Sequence, residues 1–501
     1  MSLQLPLALE AESGKSLQAQ IFDQIRSMIL DGRLGHGDAL PASRLLSHQM
    51  GVSRNTTILA YERLMSEGYI ETRPSVGTFV SATLPDKALR SENSPPDEMD
   101  GKFGNRPLVQ FSGRVQSVFN PHGPRLDQDF WVGRPDADTF PKRAWRRLVC
   151  EQISNLGTRL TAYDVPEGYQ PLREAIAKYL GHARGIATTE DQVIIVGGSQ
   201  DGLNLIARLL LGPDTLVTLE QPCYQGAAYV FESFDADIRP IPVDAHGLQV
   251  ELLEGVSNAI VYVTPSHQYP TGVMLTPERR RRLLDWAAAT GSSIIEDDYD
   301  SDFRYDGSPL TALKGLDSEG NVIYLGTFSK SIGAGIRLGY LVVPELLVEP
   351  ARRLKGLMNN GQPTLEQAIL AEFMKQDGYS RHLRTIRQIY KRRRDCLIAS
   401  LERHFGDVEL IGVDGGMHLA WRLPESFPSP ETVEAIALSR KVGIYSLRSG
   451  AAEEFSRTDF CKEDFSRRLM VLGYAALKEE EIACGIERLA RGLAEFSGAS
   501  Q

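Results

Sequence analysis

A helix-turn-helix module with a two-stranded wing, followed by a large α/β module that ends in a smaller α+β lobe, is the fold class this sequence predicts. Three observations predict it. Near the N-terminus, three segments of helix length precede a pair of strand-like runs. Further along, short apolar runs alternate with helix-length segments, the pattern of a mainly parallel sheet covered by helices. Between the two, residues 84–107 (LPDKALRSENSPPDEMDGKFGNRP) lack apolar periodicity and are rich in Pro, Asp, Glu, Ser and Asn, which is linker composition. The expected division is 1–83, a linker at 84–107, and 108–501 with the smaller lobe from about residue 365.

In the first module Ile21, Ile25, Met28 and Ile29 share one helix face, and Gly32, Gly35 and Gly37 end that helix. Pro41 is placed to open a second helix, PASRLLSHQM, in its first turn, where a missing N–H costs nothing. Gly51 breaks it, and Ser53 caps a third helix running to about Ser66. Ile58, Tyr61, Leu64 and Met65 are its expected buried side. A strand pair follows, YIETR and TFVSA, turned by Pro74 and Gly77.

In the second module the expected strands are Val193–Val196, Leu216–Leu219, Ala259–Val263, Ser293–Ile295 and Val322–Leu325. Segments such as Gln200–Leu211 and Pro277–Thr290 are the helices between them. From about Leu365 come long charged helices, with strands near Glu409–Trp421 and Arg468–Leu472.

At 501 residues the chain exceeds one ordinary core. With 42% hydrophobic and 24% charged residues it falls in the soluble globular range. No run approaches the roughly 20 apolar residues that span a bilayer. The start, MSLQLPLALEAE, has no basic residue ahead of its apolar patch, so no signal peptide is expected. Cys150, Cys223, Cys396, Cys461 and Cys484 are odd in number and form no CxxC pair, which fits reduced thiols in the cytoplasm. Net charge is −10, yet residues 1–80 hold seven Lys/Arg against eight Asp/Glu. A near-neutral module can still meet DNA when its arginines share a face.

Helix, turn, helix and wing is an order that lays the third helix in the major groove and the wing on backbone or minor groove. Arg54 and Asn55, at the exposed start of the third helix, suit the edges of guanine and adenine. Ser43, Arg44, Ser53 and Thr56 suit phosphates. A small helical interaction domain is the alternative that helix pattern alone leaves open. The runs L-P-A-S-R-L-L-S, G-V-S-R-N-T, A-Y-E-R-L, E-G-Y-I and R-x-x-x-G-T-F-V, over about residues 16–81, resemble the winged-helix module of GntR-type regulators. The last of them contains Arg73 and Gly77 of the wing. Ala42 departs from the resemblance, because a serine usually caps the second helix there.

Four features of the second module suit one ligand together. Val-Gly-Gly-Ser-Gln (196–200) joins strand to helix and offers N–H groups and a hydroxyl to a phosphate. Ile-Ile-Glu-Asp-Asp-Tyr-Asp (294–300) ends a strand in acids, which need a cation or protonated nitrogen among them. A metal is the rival there, but no His or Cys flanks the acids at ligand spacing, so none is expected. Gly-Thr-Phe-Ser-Lys-Ser-Ile-Gly-Ala-Gly-Ile-Arg-Leu-Gly-Tyr (326–340) places a lysine after a strand amid hydroxyls and glycines. Pro-Ser-His-Gln-Tyr-Pro-Thr-Gly (265–272) is another loop at the strand ends, where open α/β sheets bind ligands. Pyridoxal phosphate needs an amine, a carboxylate for its ring nitrogen and a phosphate cup.

Over about residues 108–496 this set resembles the fold-type I aminotransferases, and the whole chain resembles the MocR subfamily of GntR regulators, which includes GabR-like proteins. The resemblance implies Lys330 as the Schiff-base lysine, Asp297 on the ring nitrogen, Tyr299 on the phenolic oxygen and Tyr224 on the ring face. It further implies Ser199, Gln200, Thr327 and Arg337 around the phosphate, Tyr163 reaching the neighbouring subunit's cofactor, and Arg448 taking an effector's carboxylate. Tyr269-Pro270-Thr271-Gly272 stands where many aminotransferases have Asn-Pro-x-Gly; His267 or Gln268 would replace that asparagine only partly. The expectation is a cytoplasmic homodimer that binds a DNA operator, contacts no membrane, and senses an amine, an amino acid or pyridoxal phosphate, with at most slow transamination. Two rivals stand beside it: an aminotransferase with an N-terminal extension, and a DNA-binding protein that uses the second module only to dimerise.

Overall fold

The computed structural model describes residues 5–10, 14–74, 76–82, 126–212, 214–305, 310–450, 452–455 and 465–499. The chain forms two compact units, Met1–Gln110 and Phe111–Gln501. The linker expected at 84–107 lies outside the described residues.

In the first unit the helices Leu17–Leu30, Ser43–Met50 and Arg54–Ser66 precede the antiparallel strands Ile70–Arg73 and Gly77–Val80. A two-residue strand, Ala39–Leu40, completes a three-stranded sheet on the far side of Gly77–Val80. Ile21, Ile25, Met28 and Ile29 are all buried, as their periodicity required. The third helix differs from expectation. Its buried stripe is Thr57, Ala60, Tyr61 and Leu64, while Ile58 is half-buried and Met65 exposed. Small residues let it pack closely, whereas a stripe drawn from large apolar residues misplaces the face by part of a turn. The second helix also starts later than expected. Ser43 is its first residue, Ala42 its cap and Pro41 lies ahead of it, where the Pro41 carbonyl accepts a 2.8 Å bond from Tyr61 Oη.

The second unit is built on an eight-stranded sheet. Its order is Val193–Val196, Gly339–Val342, Val322–Thr327, Ser293–Asp298, Ile260–Val263, Leu216–Gln221, Asp237–Asp244, Gly247–Leu248. The strands from Val322–Thr327 to Asp237–Asp244 are parallel; Gly339–Val342 is antiparallel to both its neighbours. Val193–Val196 therefore runs the same way as the parallel set. Pro277–Thr290 is a helix with the expected bounds, capped by Thr276 and closed by left-handed Gly291. Several strands outrun their apolar core: Ser293–Asp298 carries on through its acids and Leu216–Gln221 through Glu220.

The smaller lobe holds a four-stranded sheet in the order Glu409–Ile411, His418–Arg422, Leu469–Gly473, Tyr445–Ser446, with the helices Pro430–Ser439 and Glu479–Ala499. Trp421 is fully buried in it, 4.9 Å from Phe405 between ring centres. The 28-residue helix Gly378–Phe405 ties this lobe to the large one. Arg394 donates to the Val413 carbonyl, and His382 Nε2 lies 2.7 Å from the Ser331 carbonyl beside Lys330. No helix among the described residues is long and apolar enough to cross a membrane. Cys150, Cys223, Cys396 and Cys484 are unpaired, and Cys461 lies outside the described residues.

Candidate cofactor site and nucleic-acid face

Because six strands run the same way, the residues after five of them, past Val196, Gln221, Val263, Asp298 and Thr327, gather along one edge of the sheet. Lys330 stands there in a tight turn, Ser329–Gly333. Its Nζ donates to the Gly133 carbonyl at 2.8 Å. Withdrawal from water holds the amine below the usual lysine pKa, against the pull of Asp300 and Asp297.

Asp297 is 4% exposed. Its Oδ2 accepts from Tyr262 Oη at 2.8 Å, and its Oδ1 has no partner. Burial pushes this carboxyl up to about 7. Tyr299 donates to the His267 carbonyl at 2.9 Å and packs edge-on to Tyr269, with ring centres 6.0 Å apart. Tyr224 is edge-on to Tyr269 as well and takes a 3.4 Å bond from Gln200 Nε2.

Ser199 opens the helix Ser199–Leu210 behind Gly198, whose φ of 103° suits glycine. A Cβ on Gly198 would stand 2.9 Å from Arg337 Nη2, so only a glycine lets that guanidinium approach the helix start. Asp201 braces the turn from behind. Its carboxylate accepts from Gly197 N at 2.7 Å and from the fully buried Lys355 Nζ at 2.6 Å. Thr327 Oγ1 accepts from Ser329 N at 3.1 Å. The structure thus brings Lys330, Asp297, Tyr299, Tyr224, Ser199, Gln200, Thr327 and Arg337 to one edge.

Two expected residues are not joined to them by any described contact. Tyr163 is 91% exposed. Arg448 is exposed in the turn after Tyr445–Ser446. The segment around Arg448 does touch the site, since Tyr269 Oη bonds the Gly450 carbonyl and Ala452–Glu453 pairs with Cys223–Tyr224.

Of the two candidates to replace the asparagine, Gln268 is turned into the core. Its Nε2 donates to the carbonyls of Pro222 and Tyr269, both at 2.7 Å, and its Oε1 accepts from Thr271 Oγ1. His267 faces Tyr299 Oη at 3.2 Å and Asp300 Oδ2 at 2.9 Å. Sequence spacing missed His418, whose ring centre is 4.7 Å from that of His267. It is fully buried, 118 positions from Asp300, and only the packing of the small lobe brings it there.

In the first unit, Ser53 Oγ accepts from Thr56 N at 3.1 Å and pairs with Thr56 Oγ1 at 2.8 Å, so both hydroxyls serve the cap. Arg44, Arg54 and Asn55 are exposed, and Ser43 is half-buried at the start of its helix. Arg73 pairs with Glu71 at 2.8 Å and lies over the Phe79 ring. Gly77 has a φ of 148° where the second wing strand begins.

Comparison with known proteins agrees with both halves. The gntR family of bacterial regulatory proteins matches residues 17–80, and the class I and II aminotransferases match residues 132–468. The chain is 33% identical to the uncharacterized HTH-type transcriptional regulator YhdI of Bacillus subtilis, over 96% of each chain. It is 34% identical to the probable rhizopine catabolism regulatory protein MocR of Rhizobium meliloti, over 83% of each. Among solved structures, LysN, the α-aminoadipate aminotransferase of Thermus thermophilus, has a TM-score of 0.68 at 26% identity and covers 78% of this chain and 98% of its own. Identity and coverage across both units place this chain among the HTH-type transcriptional regulators of the MocR kind, with a gntR-family module joined to a class I and II aminotransferase domain.

Proposed function

We propose that this regulator holds pyridoxal phosphate at Lys330 and binds a double-stranded DNA operator through the helix Arg54–Ser66. Operator affinity would then follow the level of a small amine, an amino acid or pyridoxal phosphate itself. The observation that carries the cofactor reading is the pair Asp297 and Lys330. One is a buried carboxylate with an unpartnered oxygen; the other is an amine whose one described bond goes to a carbonyl. A protonated ring nitrogen would give Asp297 Oδ1 its missing donor and draw the carboxyl back down from about 7. When bound, pyridoxal phosphate supplies an aldehyde carbon that exchanges between amines. Burial keeps more of Lys330 in its neutral, nucleophilic form.

The other groups take supporting parts. Ser199, Gln200, Thr327 and Arg337, with the N–H groups of the helix start, would hold the phosphate. Tyr299 would hold the ring oxygen and Tyr224 the ring face. The exposed Tyr163 fits a residue offered to a second copy of the chain, and hence a homodimer. Arg448 would clamp an effector's carboxylate as its segment closes on Tyr269 and Tyr224. In the reader, Arg54 and Asn55 would meet base edges, while Ser43, Arg44, Ser53, Thr56, Arg73 and Gly77 would line the backbone contacts. Sensing rather than turnover is supported by Gln268 being spent in the core. A cytoplasmic location fits the unpaired cysteines.

One experiment tests this reading. Wild type and Lys330→Ala are titrated with pyridoxal phosphate and then with candidate amines, following visible absorption and operator binding together. Wild type should turn yellow, borohydride should fix the cofactor's mass to the Lys330 peptide, and an effector should change operator affinity roughly five- to 150-fold. Lys330→Ala should lose the absorption, the mass tag and the amine response. An unchanged spectrum in the variant would overturn the lysine assignment, and multiple-turnover transamination without specific DNA binding would favour an enzyme.

A further inference from the structure

Beside Tyr299, three side chains from distant parts of the chain converge with nothing to satisfy all of them. His267, Asp300 and His418 are 5%, 3% and 0% exposed. One ring nitrogen of each histidine and one oxygen of Asp300 lie within 4.8 Å of one another. His267 Nε2 is 3.4 Å from the Gly412 carbonyl, and His418 Nε2 is 3.1 Å from the Pro270 carbonyl. A carbonyl only accepts, so each Nε2 carries a hydrogen, and whenever a ring is neutral its Nδ1 is left with a bare lone pair. His267 Nδ1 faces the Asp300 carboxylate at 2.9 Å, and His418 Nδ1 has no partner. Tyr299 does not resolve this, because it donates to the His267 carbonyl.

We propose that His267, Asp300 and His418 form a binding site for one divalent transition-metal ion of the zinc type. A proton on His267 would settle its contact with Asp300 but would leave His418 Nδ1 bare. A divalent cation takes electron pairs from all three. Two imidazoles and a carboxylate are a zinc-like donor set, and metal-bound histidines characteristically give their second ring N–H to a backbone carbonyl, as both do here. The backbone closes tightly around the cluster. A Cβ at Gly416 would lie 2.2 Å from His267 Cε1 and 2.8 Å from Asp300 Oδ2, and one at Gly272 would lie 2.9 Å from His267 Nε2. The ligands come from the loop after Ile260–Val263, the turn after Ser293–Asp298 and the first residue of the small-lobe strand His418–Arg422. The ion would therefore pin the small lobe to the large one beside Tyr299.

The test uses the full-length protein, stripped with chelator and dialysed against limiting Zn2+, with bound metal measured by elemental mass spectrometry. Co2+ is then used as a spectroscopic substitute. Wild type should bind one ion per chain, give a tetrahedral Co2+ spectrum without a thiolate charge-transfer band, and melt higher with Zn2+. Asp300→Asn and His418→Gln should each bind at least about tenfold more weakly and lose the thermal shift. Glutamine keeps an amide donor for the Pro270 carbonyl, and circular dichroism checks that both variants are folded. No stoichiometric metal in wild type, a thiolate band, or wild-type binding by folded variants would each overturn the site.

Discussion

Asp297 and Asp298 are neighbours on one strand and almost equally hidden, at 4% and 7% exposed, yet the chain completes only one of them. Asp298 Oδ2 lies 2.7 Å from Arg184 Nη2 and accepts from Tyr324 Oη at 2.5 Å. Arg184 is anchored in turn on the Leu310 carbonyl and on Ser266. Asp297, on the other face of the sheet, has the Tyr262 phenol and, among the described residues, no cation at ion-pair distance; Lys330 acts on it only from further off. Both keep a bare Oδ1, so hydrogen bonding alone does not separate them; charge does. A buried carboxylate neutralised by its own chain is architecture. One left without a cation is stable in its charged form only when something else brings the charge.

Breaking the completed side should have the largest effect. Arg184→Ala leaves Asp298 as a buried, uncompensated charge and should cost roughly 3–5 kcal/mol in denaturant unfolding of the second unit. A loss under about 1 kcal/mol would mean that Asp298 is not held by this pair.

The open side should respond in the opposite direction. Without cofactor, Asp297 is raised from 3.8 to about 7, chiefly by burial. Its folded form binds a proton that the unfolded form has already released, so stability falls as pH rises from about 4 to about 7. Asp297→Asn should remove that part of the slope, by no more than about 4 kcal/mol, and leave the part owed to Glu220, which is also raised to about 7. Stripped variant and stripped wild type should match near pH 4, with the variant more stable near pH 8. Pyridoxal phosphate should then raise the melting point of wild type far more than that of the variant. A variant less stable than wild type at pH 8 would show that the charged carboxylate is already compensated.

The same contrast explains what the sequence could disclose. The placement of Lys330, Asp297 and the Gly197-Gly198 turn at strand ends is legible because strand ends, glycines and charges lie close together in the chain. Pro277–Thr290 was legible to the residue because a capping threonine, a first-turn proline and a closing glycine all mark it. Ser293–Asp298 extends three residues past the expected Ile295, since apolar periodicity stops where buried acids begin, and their burial depends on partners such as Arg184 and Tyr262 far away in sequence. Thr57 and Ala60 are harder to read than Met65, because large apolar side chains signal burial in a sequence while helix packing favours small ones at close contacts. His418 was invisible. Nothing local distinguishes a histidine at the start of a small-lobe strand from any other until the two lobes pack.

The smallest effect tests the contrast without any charge. Two helices of the reader start with nearly the same backbone: Ala42 has φ −55° and ψ 140°, Ser53 has φ −64° and ψ 145°. Ser53 accepts a hydrogen bond from Thr56 N through its side chain, while the Ala42 side chain can offer none to its helix. Because Ala42 is exposed and already in capping geometry, Ala42→Ser requires no backbone change. It should stabilise the reader by about 1 kcal/mol, and Ser53→Ala should destabilise it by a similar amount, both read from the reader's unfolding transition. Operator binding then says what the missing hydroxyl is for. If Ala42→Ser stabilises the reader and leaves operator affinity and its salt dependence unchanged, a serine there is a cap and nothing more. If affinity also rises equally across sequences, the hydroxyl or the helix start it orders touches a phosphate. No gain in stability would show that the helix start at Ser43 does not accept a cap, and matching backbone angles would then not be enough to make two helix starts equivalent.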